Sequence, residues 1–177
     1  MAPIGQSPPG LAIDLVMQAR GICLKLLTAR PRSRAELADA LRERGIPEDV
    51  RETVLDRLGE VGLVDDAAFA ESTVHSGRAY RGLGRHALSA ELRRRGVPDG
   101  LAHEAVATLQ PGDEEQRARE LVRRKLRSTT GRDPATRVRR LVGMLVRKGY
   151  PEGMAFRVVR DELGSEGWPA EVESGPD

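Results

Sequence analysis

Arg44-Gly45-Ile46-Pro47-Glu48 returns as Arg95-Gly96-Val97-Pro98-Asp99 and again as Lys148-Gly149-Tyr150-Pro151-Glu152. Each copy reads basic, glycine, apolar, proline, acidic, at spacings of 51 and 53 residues. The chain's own residue frequencies predict about 0.01 such strings by chance, so three regularly spaced copies mark an internal repeat. The physics of the string is a helix-to-helix turn, a structural device rather than a binding motif. Glycine just past a helix end takes the left-handed backbone without a Cβ clash, and the basic residue before it faces the negative end of the helix dipole. Proline then opens the next helix at its first position, where a missing N–H costs nothing, and the acidic residue meets the positive N-terminus.

Working outward, apolar residues fall at helical spacing on both sides of every turn. Upstream are Leu37, Ala38 and Leu41; Ala87, Leu88 and Leu92; and Val138, Leu141, Val142 and Leu145. Downstream are Val50, Val54, Leu55 and Leu58; Leu101, Ala105, Val106 and Leu109; and Met154, Val158, Val159 and Leu163. A third helix precedes each pair, with stripes Leu15, Val16, Ala19, Ile22, Cys23, Leu26, Leu27; Phe69, Ala70, Thr73, Val74, Tyr80; and Ala118, Leu121, Val122, Leu126. Start signals agree: Ser33-Arg34-Ala35-Glu36 is a capping box, Asp133-Pro134 an N-cap with proline behind it, and Asp65-Asp66 can cap the helix holding Phe69. No stretch reads as a strand.

The expected fold is all-α, three tandem three-helix modules forming an elongated curved helical repeat. Its divisions are a flexible tail at 1–12, modules at 13–64, 65–110 and 113–163, and an acidic tail at 164–177. Modules of ~50 residues bury little surface alone, so neighbours must support one another. Only five of the 177 residues are aromatic, which leaves valine, leucine and alanine to build the core.

Composition and motifs argue against several classes of function. No apolar run is long enough to span a bilayer, and the first ten residues lack the basic and apolar regions of a secretory signal. A single cysteine, Cys23, is read as a buried small hydrophobe, and the expected location is a reducing cytoplasm. His75, His86 and His103 lack ligand spacing, so neither metal nor cofactor is expected. Gly82-Leu83-Gly84 follows no strand and has Ala87 where a dinucleotide loop needs glycine; its expected job is to end one helix and begin the next. Nothing brings together a nucleophile, a base and an oxyanion site, so no enzyme activity is expected.

The formal charge of +2 hides strong segregation. Residues 33–66 hold five basic and ten acidic side chains, whereas 78–95 hold six arginines against Glu91 alone. Residues 116–148 carry twelve basic side chains against Glu120 and Asp133, and 161–177 carry six acidic ones and no basic one. Of the 29 basic residues only Lys25, Lys125 and Lys148 are lysine, which codon bias can explain. A locally basic surface in a near-neutral protein suits nucleic acid or an acidic protein groove, although a charge run can also be only a solvated face.

The stretch Gly62-Leu63-Val64-Asp65-Asp66-Ala67-Ala68-Phe69-Ala70, then Arg78, Gly84 and Glu91-Leu92-Arg93-Arg94-Arg95-Gly96-Val97, closely resembles the RecX family of bacterial regulators of the RecA recombinase. The resemblance implies a non-enzymatic modulator that lodges in the groove of the RecA filament, formed with ATP and single-stranded DNA. Strand exchange, ATP hydrolysis and co-protease activity would be inhibited, with consequences for homologous recombination, DNA repair and the SOS response. It also implies that Asp66 caps a helix, Phe69 and Ala70 fill the second module, and Gly96 closes a helix. The arginine-for-lysine balance and the acidic tail depart from the family pattern.

Shape and charge together nominate Arg81, Arg85, Arg93, Arg94, Arg124, Arg127, Arg137 and Arg140 as the main partner contacts. The expected partner is the RecA filament, with possible direct contact to DNA, and the chain is expected to be monomeric and free of membranes. Two alternatives remain open at this point: a stand-alone tri-helical DNA-binding protein, and a helical-repeat adaptor for another protein.

Overall fold

The computed structural model describes residues 9–129, 131 and 133–164. Among them nine α-helices follow one another without a strand. The first three are α1 (Pro9–Ala29), α2 (Arg34–Arg42) and α3 (Glu48–Glu60); the next are α4 (Asp66–Arg81), α5 (Arg85–Arg94) and α6 (Asp99–Ala107). The last are α7 (Pro111–Leu126), followed by a 3-10 turn at Arg127–Thr129, then α8 (Pro134–Arg147) and α9 (Glu152–Leu163). The chain is an all-α tandem helical repeat of three helices at a time. Helix α1 starts ahead of the expected module start at residue 13, and the expected tails fall almost wholly outside the described residues.

The three repeated turns share one hydrogen-bond pattern. Gly45, Gly96 and Gly149 have φ of +72°, +71° and +85°. The N–H of each glycine reaches back to Arg42, Arg93 or Val146 at 2.9–3.0 Å, and the N–H after it reaches Leu41, Leu92 or Leu145 at 3.1 Å. This paired closure satisfies carbonyls that a helix end leaves open, and it sets Ile46, Val97 and Tyr150 beside those same buried leucines.

Proline sits one step earlier than the sequence reading put it. Helices α3 and α9 start at the acidic residue, with Pro47 and Pro151 as N-caps at ψ of 152° and 138°. The proline carbonyl accepts the first helical bond, from Arg51 and Ala155 respectively, each at 2.9 Å. An N-cap N–H makes no intrahelical bond, so proline loses as little there as at the first helical position.

The capping roles of the two aspartates are also redistributed. Asp65 caps α4 by accepting the Ala68 N–H at 2.9 Å. Asp66, expected to cap its own helix, instead accepts the N–H of Arg34, the first residue of α2, at 2.8 Å. Ser33 completes its capping box with Glu36, and its hydroxyl also donates to the Arg95 carbonyl at 2.6 Å. Asp133 caps α8 through the Thr136 N–H at 2.9 Å, with Pro134 behind it as expected.

Contacts divide the chain into two compact units, and the division cuts across the second module. One unit runs to Ala70 and includes Leu92–Ala102; the other combines Glu71–Glu91 with the chain from His103. The first has a core of Ala19, Cys23, Leu37, Leu41, Val54, Leu55 and Leu58, with Ile46, Val50 and Val64 closing it. The second is built on Ala118, Leu121, Val122, Val138, Leu141, Val142, Leu145, Tyr150, Ala155, Val158 and Val159. Each buried Leu or Val contributes about 1.5–3 kcal/mol, so these stripes supply the main driving force. Phe69 and Ala70 are buried as expected, with the Arg95 guanidinium 5.5 Å above the Phe69 ring. Tyr80 is not: it is 86% exposed in the last turn of α4, although Gly77 one turn earlier on the same helix is packed against Leu88 and Leu83.

The same joint occurs once in each unit. In the first, Asp66 and Ser33 tie the start of α2 to the next module, and a Cβ on Gly96 would overlap the Cβ of Ala35. In the second, Glu114 of α7 accepts the N–H of Arg85, the first residue of α5, at 2.9 Å. There Gly84 and His86 donate backbone bonds to Lys148 and Gly149 at 2.8 and 3.3 Å, and a Cβ on Gly149 would overlap Ala87. The turn at Gly45 meets nothing, since no atom lies within 4 Å of where its Cβ would stand.

Alanine scanning of the three turn glycines separates backbone strain from this close approach. Gly45→Ala should cost about 1 kcal/mol, the left-handed penalty alone. Gly96→Ala and Gly149→Ala should cost at least about 2 kcal/mol more, because the joint must also open. Urea denaturation of the three variants measures the difference.

Candidate partner-binding surface

The eight arginines nominated from the sequence divide sharply by what their guanidinium groups touch. Arg81 meets Glu91 at 2.7 Å, and Arg85 meets Glu114 at 3.4 Å. Those two carboxylates are nearly inaccessible, with side chains 5% and 6% exposed. A buried carboxylate without a cation is costly, so Arg81 and Arg85 have a structural task irrespective of any partner. Both lie in the second unit, where Arg117 adds donations to the Arg78 and Ala79 carbonyls at 3.4 and 2.9 Å. Lys148 donates through Nζ to the Arg81 carbonyl, so even the end of α4 is held by cations.

The remaining six are differently placed. Arg93 and Arg94 are exposed in the last turn of α5 and belong to the first unit. Arg124 is exposed near the end of α7, Arg127 follows in the 3-10 turn, and both line a cleft with Arg117, Glu120 and Arg123. On α8, Arg137 is half-buried while Arg140 is exposed, both off the stripe of Val138, Leu141, Val142 and Leu145. Among the described residues no carboxylate lies within ion-pair distance of Arg93, Arg94, Arg124 or Arg140. Arg117 and Arg123, which complete the cleft, were not nominated; the density of arginine between 117 and 127 was their only signal.

Much of the remaining charge is spent inside each unit. Arg34 answers Glu52 and Asp56 at 2.6 and 2.7 Å, which neutralises part of the acidic first module. Burial opposes ionisation of Glu36, but the Arg30 fork at 3.0 Å and the Ser33 N–H hold its carboxyl below the ordinary value. Arg157, then Arg119, hold Glu115 below its ordinary value too. His75, His86 and His103 are exposed, and His75 lines a second cleft with Arg78, Asp113, Arg117 and Glu120. Among the described residues no group of three or more His, Cys, Asp or Glu is gathered as for a metal ion, and no helix is long and apolar enough to cross a membrane.

Tyr150 anchors this region from below. Its hydroxyl donates to the Gly82 carbonyl at 3.2 Å. Burial, reinforced by the Glu114 carboxylate, pushes the phenol up to about 12.

Three family models match the chain in order: the first three-helix domain of RecX over residues 19–58, the second over 65–106 and the third over 113–159. The chain belongs to the RecX family. The regulatory protein RecX of Thermobifida fusca (strain YX) is 57% identical over 163 residues, covering 90% of this chain and 88% of the relative. Regulatory protein RecX of Streptomyces coelicolor is 56% identical over 154 residues, covering 87% and 82%. The crystal structure of RecX from Lactobacillus salivarius shares the fold at a TM-score of 0.75, with 19% identity, covering 85% of this chain and 97% of that one. For this RecX-family chain the Asp65-Asp66 signature thus has a physical reason, one aspartate capping α4 and the other fastening α2.

Two measurements distinguish structural from available groups. Arg81→Ala should lower stability by roughly 1–3 kcal/mol by removing a cation from the buried Glu91, whereas Arg94→Ala, Arg124→Ala and Arg140→Ala should stay within about 0.5 kcal/mol of the parent. Chemical denaturation reads both groups. The raised Tyr150 phenol stabilises the fold fully below pH ~10, and that contribution disappears as pH climbs through about 12. Tyr150→Phe should therefore be less stable at neutral pH by about 1 kcal/mol but lose less stability between pH ~10 and ~12, as followed by melting temperature.

Proposed function

We propose that this chain is a regulator that binds the RecA filament formed with ATP and single-stranded DNA. In this reading it inhibits strand exchange, ATP hydrolysis and co-protease activity, and so tempers homologous recombination, DNA repair and the SOS response. It acts as a monomer in the cytoplasm, by occupancy rather than catalysis. The observation that carries the reading is the ordered match of all three helical domains to the RecX family. The solvent-facing arginines without a carboxylate partner support a contact surface on the modules. They present fixed positive charge whose desolvation is not already offset inside the protein, which suits acidic protein walls or DNA phosphates.

The surface proposed for that contact is Arg93 and Arg94 in the first unit, and Arg124, Arg127, Arg137 and Arg140 in the second. Arg81 and Arg85 contribute by holding the second module together, and their guanidinium edges add to the local field.

An ATPase assay of RecA on single-stranded DNA tests the reading. Substoichiometric addition of the chain should suppress hydrolysis, and Arg124→Glu/Arg140→Glu should weaken that suppression by at least about tenfold while leaving helix content unchanged. Full inhibition by the folded double variant would remove these arginines from the contact. No inhibition by the parent chain, together with tight salt-dependent binding to naked DNA, would favour a stand-alone DNA-binding protein instead.

A further inference from the structure

Two arginine-rich stretches far apart in sequence meet within the first unit. Arg30, Arg32 and Arg34 belong to the link from α1 into α2, and Arg93, Arg94 and Arg95 to the end of α5 and its turn. The Ser33 hydroxyl donates to the Arg95 carbonyl at 2.6 Å, and the Gly96 turn packs against Ala35. One peptide step and that hydrogen bond separate Arg32 from Arg95, which puts their Cα atoms within about 11 Å of each other.

The carboxylates that reach these stretches are already engaged. Glu36 takes the Arg30 fork at 3.0 Å, Glu52 and Asp56 take Arg34, and Asp66 accepts the Arg34 N–H. Arg32, Arg93 and Arg94 are left over: among the described residues their side chains make neither a hydrogen bond nor an ion pair. Arg93 and Arg94 are exposed, whereas Arg32 is half-buried with its Nε sealed from solvent and without an acceptor. A guanidinium in that position gains from any oxyanion brought to it.

The surroundings narrow the partner. Protein interfaces centre on apolar and aromatic anchors. The large apolar side chains that this unit exposes, Ile13, Met17, Leu24, Val61 and Leu63, belong to α1 and the turn after α3, and none to the cluster. Single strands are held by stacking on exposed rings, but Phe69, the ring beside the cluster, is buried beneath Arg95. Duplex phosphates require only cations, and they supply one negative charge per roughly 1.7 Å of helix axis.

We propose that Arg32, Arg93 and Arg94 form a contact for the phosphate backbone of duplex DNA, made by charge and indifferent to base sequence. This refines the reading of Arg93 and Arg94 as partner contacts and rests on that part of it.

Fluorescence anisotropy of the full chain with a labelled duplex of about 30 base pairs, between about 25 and 200 mM salt, tests the contact. The parent should bind, with log K falling linearly in log salt. Arg93→Ala/Arg94→Ala, which removes two exposed side chains, should flatten that slope by about 2 and weaken binding at least about tenfold at low salt. Arg32→Ala should flatten it by about 1, and Arg32→Lys, which keeps the charge, should hold the parent slope. Circular dichroism checks that each variant keeps its helix content. Absence of duplex binding at about 25 mM salt, or a parent-like slope in the double variant, would overturn the proposal. So would displacement by polyglutamate as effective, charge for charge, as by unlabelled duplex, which would assign the cluster to an acidic polypeptide. A slope that responds to these arginines with a labelled single strand but not with duplex would overturn it too. RecA takes no part, so failure here leaves suppression of its ATPase to be judged on its own assay.

Discussion

The joint between the middle helix of one module and the turn of the next is the contact on which the rest of this structure depends. It consists of a carboxylate from the following module accepting the first N–H of the middle helix, as Asp66 does for Arg34 and Glu114 does for Arg85. Beneath it, a glycine turn approaches so closely that a methyl group has no room, at Gly96 against Ala35 and at Gly149 against Ala87. Three-helix modules of this size bury little apolar surface by themselves. A joint built from backbone groups fixes one register between neighbours, because a helix N-terminus has only a few open donors and the glycine only one place to fit. The cores on either side, of small aliphatic side chains, could tolerate several packings; the joints select one.

Much of this was legible in the sequence, and the limits are instructive. The turn strings predicted helix ends because glycine, proline and the flanking charges act within a few residues of one another. Proline as N-cap instead of first helical residue was not distinguishable, since either position leaves its missing N–H without consequence. The role of Asp66 was hidden for another reason: its acceptor function serves an N–H 32 residues earlier in the chain. Tyr80 satisfied the helical period yet stands exposed, because periodicity does not say which side of a helix end a neighbour covers.

Charge was the least legible property. Counting acids and bases located basic stretches but treated every arginine alike. Glu91 stands between Leu88 and Leu92, and Glu114 stands four residues before Ala118, so both fall on apolar stripes. An acid on a buried stripe requires a cation, and following that rule would have assigned Arg81 and Arg85 to the interior of the fold before any partner was considered. The arginines that remain are fewer and lie on two separate units, so the contact surface proposed for them is narrower than the sequence total implies.

The first compact unit is discontinuous: it needs Leu92–Ala102, which is made after the opening part of the second unit. During synthesis, α1 to α3 emerge before the Arg95 carbonyl and the Gly96 turn that complete their joint. Roughly thirty further residues must leave the ribosome after Ala70, a few seconds at ordinary elongation rates, before that unit closes. The earliest-made helices therefore gain their joint only when later ones arrive, and a cut after residue 64 would take Asp66, Arg95 and Gly96 away from it.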